Sequence, residues 1–523
     1  MSTLLEMRHI VKHFAGVLAN DHVDFEAQRG EIHGLLGENG AGKTTLMNIL
    51  YGLYQQDHGD ILFEGAPVKI ATPKHALELG IGMVHQHFRL IPRLTVLENV
   101  VLGLKSEVAP RLAGTGALTT IRRKLAETFG LNRSEAEARL IELADHFGLN
   151  IHPNAKIWEL SVGEQQRVEI LKALYRRAKL LILDEPTAVL TPQEVDRLFE
   201  MLNAMVAQGY TIIFITHKLN EIMSACHRIT VLRQGKLVAT VRSVETNHKE
   251  LARMMVGREV LFHVEKPQCA PGRDMLAVNN LNVLNDKGLQ AVNSVSFSVR
   301  EGEILGIAGV SGNGQRELIE AINGLRRVES GQIFLEGADV TNAHPKKIVA
   351  HGVGYIPEDR IHVGLATTLP VAENLLLKNQ SSPQFNRRGF INYAALNRSA
   401  DALILAYDVR GAGARTRAGQ LSGGNIQKII LAREISRNPK VLIASQPTRG
   451  LDVGAIEYVQ QLLLEQKRQG KAILLISENL DETLHLSDRI AVMYEGRIVR
   501  ILDAAAANRR EIGLMMAGSR HDA

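Results

Sequence analysis

Eight residues near the start of the chain, Gly37-Glu38-Asn39-Gly40-Ala41-Gly42-Lys43-Thr44, have the spacing of a backbone cradle for a polyphosphate. They follow an apolar run, EIHGLLG from Glu31, that reads as a buried strand, and they precede a stretch that reads as a helix. Glycines let such a loop curl until several N–H groups point inward at phosphate oxygens, and the following helix adds its positive end. In this pattern Lys43 contacts the β- and γ-phosphates and Thr44 offers its hydroxyl to Mg²⁺, with Thr45 beside it among the nucleotide contacts. A second constellation is Leu180-Leu181-Ile182-Leu183-Asp184-Glu185, an apolar strand ending in two carboxylates. Asp184 is placed to hold the Mg²⁺ shell, and Glu185 to orient or deprotonate an attacking water. A third is LSVGEQQ from Leu160, a glycine-containing turn that opens a helix at Ser161 and offers another helix N-terminus to phosphate. Val168, Leu171 and Leu174 mark the core-facing side of that helix.

The elements that must position these residues occur twice. EIHGLLGENGAGKTTLMNILYGL from Glu31 returns as EILGIAGVSGNGQRELIEAINGL from Glu303, 272 positions later. LSVGEQQ at Leu160 returns as LSGGNIQ at Leu421, LLILDEPTAVL at Leu180 as VLIASQPTRGL at Val441, and ELARMMVG at Glu250 as EIGLMMAG at Glu511, each 261 positions later. The second copy is therefore 11 residues shorter between the glycine-rich loop and the signature. Two tandem homologous domains follow, 1–258 and 273–523, with a linker over 259–272 that carries charge, Pro and Gly without a periodic apolar pattern. In each copy short apolar runs alternate with longer amphipathic stretches, which predicts an α/β fold around a mostly parallel sheet.

Composition bounds the rest. At 523 residues, 45% apolar and 22% charged, the chain has material for two or more ordinary globular cores and is not a disordered protein. Its two cysteines, Cys226 and Cys269, form neither a disulfide framework nor a metal cluster. No apolar run approaches the eighteen or so residues of a membrane span, and the N-terminus lacks a secretory core, so the chain is expected not to cross a membrane. A net charge of +5 is mild for this length and fits a mixed solvated surface better than a nucleic-acid face.

The order of phosphate loop, Gln86 in MVHQHF, LSVGEQQ, LLILDEP and His217 in FITHK resembles the ABC ATPase family, over nearly the whole chain and twice. The resemblance implies two tandem P-loop NTPase domains of ABC type. Each would have a RecA-like parallel-sheet core, an antiparallel β subdomain and a helical subdomain, with ATP and Mg²⁺ bound. It implies that Gln86 senses nucleotide, joins the metal shell and faces a permease, that His217 contacts the γ-phosphate, and that Phe14 stacks on adenine. His85 and His87, which flank Gln86, read as loop polarity rather than a metal site.

ABC domains pair head to tail, each ATP lying between one domain's phosphate loop and the other's signature, and that geometry gives meaning to the differences between the copies. In the second copy Lys43 becomes Gln315, Thr44 becomes Arg316, Asp184 becomes Ser445, Glu185 becomes Gln446, Gln86 becomes Glu358, His217 becomes Glu478 and Phe14 becomes Asp286. The phosphate ammonium, the metal carboxylate and the base are lost, and two acids enter near an anionic ligand; Arg316 keeps some attraction for a phosphate. The second signature is the fuller one, with Ser422, Gly423 and Gly424 where the first has Val162, and Asp452 stands where the first copy has Thr191. The expectation is one hydrolytic site, using Lys43, Asp184 and Glu185 of the first copy with Ser422, Gly423, Gly424 and Asp452 of the second. The pairing could lie within one chain or between two.

Two fused ABC domains without membrane spans resemble the motor subunits of simple-sugar importers. The ribose and galactose type generally keeps an Asp-Glu pair in the second copy, where this chain has Ser445-Gln446, and GVSGNGQRELIEAINGL with SQPTRGLDVGAIE is similar to the nucleoside-uptake branch. The resemblance implies integral-membrane permease subunits as partners, an extracytoplasmic solute-binding protein acting through them, no nucleic acid, and a peripheral position at the cytoplasmic face of the cell membrane. Nucleosides are the favoured solute, with ribose- or galactose-type sugars as the alternative. Soluble twin-ABC translation factors are the reading from a different class.

Overall fold

A computed structural model of the chain describes residues 2–14, 16–85, 88–103, 133–149, 151–187, 190, 192–259, 266–310, 312–516 and 518. Gln86, His87 and Thr191 lie outside the described residues. The chain forms two compact units, Met1–Val260 and Leu261–Ala523.

In the first unit an antiparallel sheet of order β2-β1-β4-β5 is built from β1 (Thr3–Phe14), β2 (Val17–Gln28), β4 (His58–Phe63) and β5 (Ala66–Pro67). A six-stranded sheet of order β10-β9-β3-β8-β7-β6 comprises β3 (Ile32–Leu36), β6 (Ile81–Val84), β7 (Leu180–Asp184), β8 (Thr211–Thr216), β9 (Arg228–Arg233) and β10 (Lys236–Arg242). All its pairs are parallel except β9 with β10. Every residue of β3, β7 and β8 is buried, which is why these strands read as mostly apolar runs rather than as alternation, His33 in β3 being buried against Glu31 and Thr230. Leu5, Met7, Val23 and Phe25 of the antiparallel sheet share one core with Leu35, Ile182, Ile213 and Ile215. Leu46, Met47 and Leu50 of the helix Lys43–Leu50 enter the same core. The helices Val96–Val101 and Arg133–His146 pack on the helix Val162–Tyr175, whose Val168, Leu171 and Leu174 are buried as their spacing predicts.

The second unit repeats this plan. Strands β11 (Asp274–Leu284), β12 (Gln290–Arg300), β14 (Val328–Leu335) and β15 (Ala338–Asp339) form the antiparallel sheet, in the order β12-β11-β14-β15. Strands β13 (Ile304–Ala308), β16 (Val353–Ile356), β19 (Val441–Ser445), β20 (Ala472–Ile476), β21 (Arg489–Tyr494) and β22 (Arg497–Asp503) form the sheet β16-β19-β20-β13-β21-β22. A small hairpin of β17 (Asn386–Arg387) and β18 (Phe390–Ile391) is added.

The helices Val96–Val101 and Val371–Leu376 are equivalent, whereas Arg133–His146 corresponds to Tyr393–Ala406. The shortening of the second copy therefore falls between Val101 and Arg133, where residues 104–132 are outside the described set. Residues 266–272, read as part of the linker, lie along the second unit. Lys266 Nζ donates to the Ser487 carbonyl at 2.7 Å and Gly272 N to the Glu301 carbonyl at 2.9 Å. Among the described residues no helix is long and apolar enough to cross a membrane.

Candidate functional site

Strand register assembles the first unit's site. Leu36 of β3 pairs with Thr216 of β8, and Asp184 of β7 with Ile215. The loop after β3, the carboxylates that end β7 and His217 just past β8 therefore emerge side by side at the carboxyl edge of the sheet, where open α/β sheets take their ligands.

The loop is shaped before any ligand arrives. Gly42 has φ +96°, and a Cβ there would lie 2.4 Å from the Ala19 carbonyl oxygen, so only glycine fits. Asn20, fully buried, donates through Nδ2 to the Gly42 carbonyl at 3.2 Å, and Gly235 N donates to the Ala41 carbonyl at 3.2 Å. Ala41 N in turn donates to the Glu38 carbonyl at 3.1 Å, which closes the turn over Asn39 and Gly40. Lys43 Nζ donates to the carbonyls of Gly37 (2.7 Å) and Glu38 (3.0 Å), which holds the ammonium across the loop. Thr44 is exposed and hydrogen-bonds the Asp184 carboxyl, while Thr45 is half-buried.

Asp184 is 5% exposed. Burial and the neighbouring charge of Glu185 push its carboxyl up to about 6, against the pull of Lys43 and Thr44. A carboxylate strained in this way beside a hydroxyl gains from a divalent cation, and an oxygen donor set of Thr44 and Asp184 suits Mg²⁺ completed by phosphate oxygens. Glu185 sits at φ +47°, a left-handed conformation that costs a non-glycine residue about 1 kcal/mol or more and is found at functional turns. Its N–H donates to the Ile215 carbonyl at 3.0 Å, and its Oε1 lies 2.7 Å from His217 Nδ1. Burial pushes the Glu185 carboxyl up, but the His217 hydrogen bond and the charges of Lys43 and Lys218 hold it net below the usual carboxylate range. Phe14, at the end of β1, is two-fifths exposed and meets Tyr54 edge to face, with centroids 5.2 Å apart. His85 packs edge-on against Tyr51 at 5.7 Å.

The second unit keeps the frame and changes the chemistry. Gly314 has φ +94°, and a Cβ there would come 2.0 Å from the Ala291 carbonyl oxygen, as at Gly42. Gln315 Nε2 donates to the Val310 carbonyl at 3.1 Å. Arg316, read from sequence as a residual attraction for phosphate, is held by Glu320 (2.8 Å) and approaches Asp286 (3.9 Å), which Arg326 also binds (2.7 Å). Glu358 is paired with Arg449. Gln446, left-handed at φ +48° like Glu185, accepts from the Glu478 N–H at 3.1 Å. Gln315, Arg316, Glu358, Ser445, Gln446 and Glu478 border a cleft of about 580 Å³.

The two signatures differ in what surrounds their glycines. Ser161 caps its helix in a reciprocal box with Glu164, and Val162 beside it is 44% exposed. Ser422 caps the helix Gly423–Ile435. Neither Gly423 nor Gly424 has a positive φ, and an added Cβ would meet nothing nearer than Arg360 Nη1 at 3.8 Å or Ala455 Cβ at 3.6 Å. Their own unit does not require them to be glycine. Asp452 caps the helix Val453–Arg468, its Oδ1 accepting from Ala455 N at 2.9 Å.

Sequence reasoning missed Asn20 and Tyr54, and it missed a cluster next to His217 in which Thr187, Thr216 and Glu221 are buried and Lys218 is exposed. A polar side chain in a strand or a first helical turn carries no pattern that would single it out.

The ABC transporter family model matches residues 20–188 and 292–449. The glucose import ATP-binding protein TsgD13 of Haloferax volcanii is 51% identical, over 98% of this chain and 96% of that one. The guanosine import ATP-binding protein NupO of Bacillus subtilis is 48% identical, over 99% and 98%. Among solved structures, that of the archaeal ribosome recycling factor aABCE1 with the stalk protein aP1 matches with a TM-score of 0.60 and 18% identity, over 98% of this chain and 92% of that one; at that identity it speaks for the fold alone. The chain belongs to the ABC transporter family, as an ATP-hydrolysing subunit of an importer with two tandem nucleotide-binding domains.

Proposed function

We propose that the chain drives nucleoside uptake through a separate integral-membrane permease, and that only its first unit carries the residues of hydrolysis. The observation that carries the second part is the contrast between the sheet edges. Lys43, Thr44, Asp184, Glu185 and His217 converge in the first unit, where the second has Gln315, Arg316, Ser445, Gln446 and Glu478. The loop 37–42 with Lys43, Thr44 and Thr45 receives the phosphates, and Phe14 stacks on adenine. Glu185 orients the attacking water and takes its proton, held by His217. Mg²⁺, held by Thr44, Asp184 and Gln86, would supply charge neutralisation on the phosphates. Ser422, Gly423, Gly424 and Asp452 serve the hydrolysed ATP, a role supported by the open surroundings of the two glycines.

The solute is read by the permease and an extracytoplasmic solute-binding protein, so the preference for nucleosides rests on likeness to proteins such as NupO, a guanosine import ATP-binding protein. The glucose import relative TsgD13 supports a sugar as the second reading. The chain takes a peripheral place at the cytoplasmic face of the membrane through its permease, and no nucleic acid is a partner. Glu185→Gln in the assembled transporter should abolish turnover by about 10²-fold or more while ATP still binds; normal turnover would overturn the assignment. Thermal shift of the cognate solute-binding protein with nucleosides and with sugars decides between the solutes, since the true ligand raises its apparent stability.

A further inference from the structure

Beneath the pair Glu185–His217 lies a buried carboxylate that the hydrolytic roles above do not use. Glu221, in the first turn of the helix Leu219–Ala225, is 8% exposed. Its Oε1 accepts from the Thr187 hydroxyl at 2.6 Å and its Oε2 from the Thr216 hydroxyl at 3.0 Å. Lys218 Nζ lies 2.8 Å from Oε1, and the Lys218 N–H donates to Thr216 Oγ1 at 3.1 Å. Lys218 Nζ also reaches the Thr187 hydroxyl (3.3 Å) and carbonyl (3.4 Å). Thr187 stands two residues past Glu185, and Thr216 and Lys218 flank His217. One carboxylate thus ties together the two chain segments that carry the 2.7 Å Glu185–His217 contact.

The second unit shows which part of this cluster the fold itself requires. Glu482 occupies the place of Glu221 and accepts from Ser477 at 2.6 Å, with Thr448 standing in the place of Thr187. The place of Lys218, however, is taken by Asn479, whose N–H still donates to Ser477 at 3.1 Å. Burial without a cation raises the Glu482 carboxyl above its ordinary range. The hydroxyl pair is common to both units, and the lysine accompanies the hydrolytic one.

We propose that Glu221, neutralised by Lys218 and anchored to Thr187 and Thr216, is a positioning residue that fixes Glu185 and His217 relative to each other for hydrolysis. This rests on the reading that Glu185 and His217 act in that step. The test is steady-state ATP hydrolysis by the full chain assembled with its permease. Lys218→Asn installs a residue that the same fold already holds in the second unit, and Thr187→Val removes only a hydroxyl. Both should lower kcat about tenfold or more, with KM for ATP within about twofold and thermal stability kept. Thr187→Ser should restore turnover, and Thr187→Val added to Glu221→Gln should slow the enzyme no further than Glu221→Gln alone. The inference is overturned if Lys218→Asn and Thr187→Val turn over normally, if their loss appears in KM, or if Thr187→Ser is as slow as Thr187→Val. Normal turnover by Glu185→Gln would instead sink the underlying reading of the site.

Discussion

Replacing Gly423 with valine would write the first unit's signature residue, Val162, into the second unit, and the two consequences should part company. Within its unit the change is benign. The added Cβ meets nothing closer than 3.8 Å, φ is ordinary, and the equivalent Val162 is 44% exposed at the matching first helical position after its capping serine. Helix propensity favours valine over glycine by about 0.3 kcal/mol, so stability should move by no more than about 0.5 kcal/mol. Turnover should not be spared. If backbone N–H groups at this helix start meet a phosphate, branched methyls in the way remove a charge-assisted hydrogen bond worth about 1.5–3 kcal/mol. That converts to a fall of about ten- to hundredfold in turnover. The assay is phosphate release by the permease-bound chain, with a thermal melt of the same sample. Normal turnover would refute the use of this signature at the hydrolysed ATP, and a marked drop in melting temperature would refute the claim that the glycine is unneeded internally. The reciprocal Val162→Gly should change neither readout.

Gln315→Ala should leave most of the ATP turnover intact, since the side chain only spans its own loop to Val310; abolition would show that the second unit takes part in hydrolysis. Phe14→Ala should raise KM for ATP about tenfold with little change in kcat, if the ring stacks on adenine. Glu434, fully buried, binds Lys378 (2.7 Å) and Arg433 (2.8 Å), and Glu434→Gln should destabilise the second unit by about 3 kcal/mol in chemical denaturation. Burial pushes the Glu434 carboxyl up, but Lys378 and Arg433 hold it net below its ordinary range. Its contribution is therefore present above the unfolded carboxyl's pKa and lost as pH falls through the lower folded value, so the wild-type chain should show an acid limb that the variant lacks.

Much of this architecture was legible because the informative strands are buried on both faces. β3, β7 and β8 appear as short, mostly apolar runs, and each runs directly into a residue that does chemistry: Gly37, Glu185 or His217. The repeat then made every substitution in the second copy readable against a complete first copy. What was not legible depends on pairs distant in sequence. Arg316 with Glu320 is a helical i, i+4 pair that spacing suggests, but the approach to Asp286, thirty positions back, depends on how β11 and the helix Gln315–Ile322 pack. Asn20 is one polar residue in a strand, and its hold on Gly42 exists only once the antiparallel sheet lies beside the loop. The freedom around Gly423 and Gly424 was equally hidden, since a glycine in a string does not say whether its own fold or something outside demands it.

The loops around Gly42 and Gly314 show where that ambiguity leads. The second loop has lost its lysine and its threonine, yet it retains a glycine at the turn into the helix, because the Ala291 carbonyl leaves no room for a side chain. The backbone's own sterics require that glycine, whether or not a ligand binds. A loop of this kind keeps its outline while its chemistry drifts away. Counting its glycines therefore says nothing of its chemistry; the positions to read are Gln315 and Arg316, whose side chains are turned to Val310 and Glu320 of their own unit.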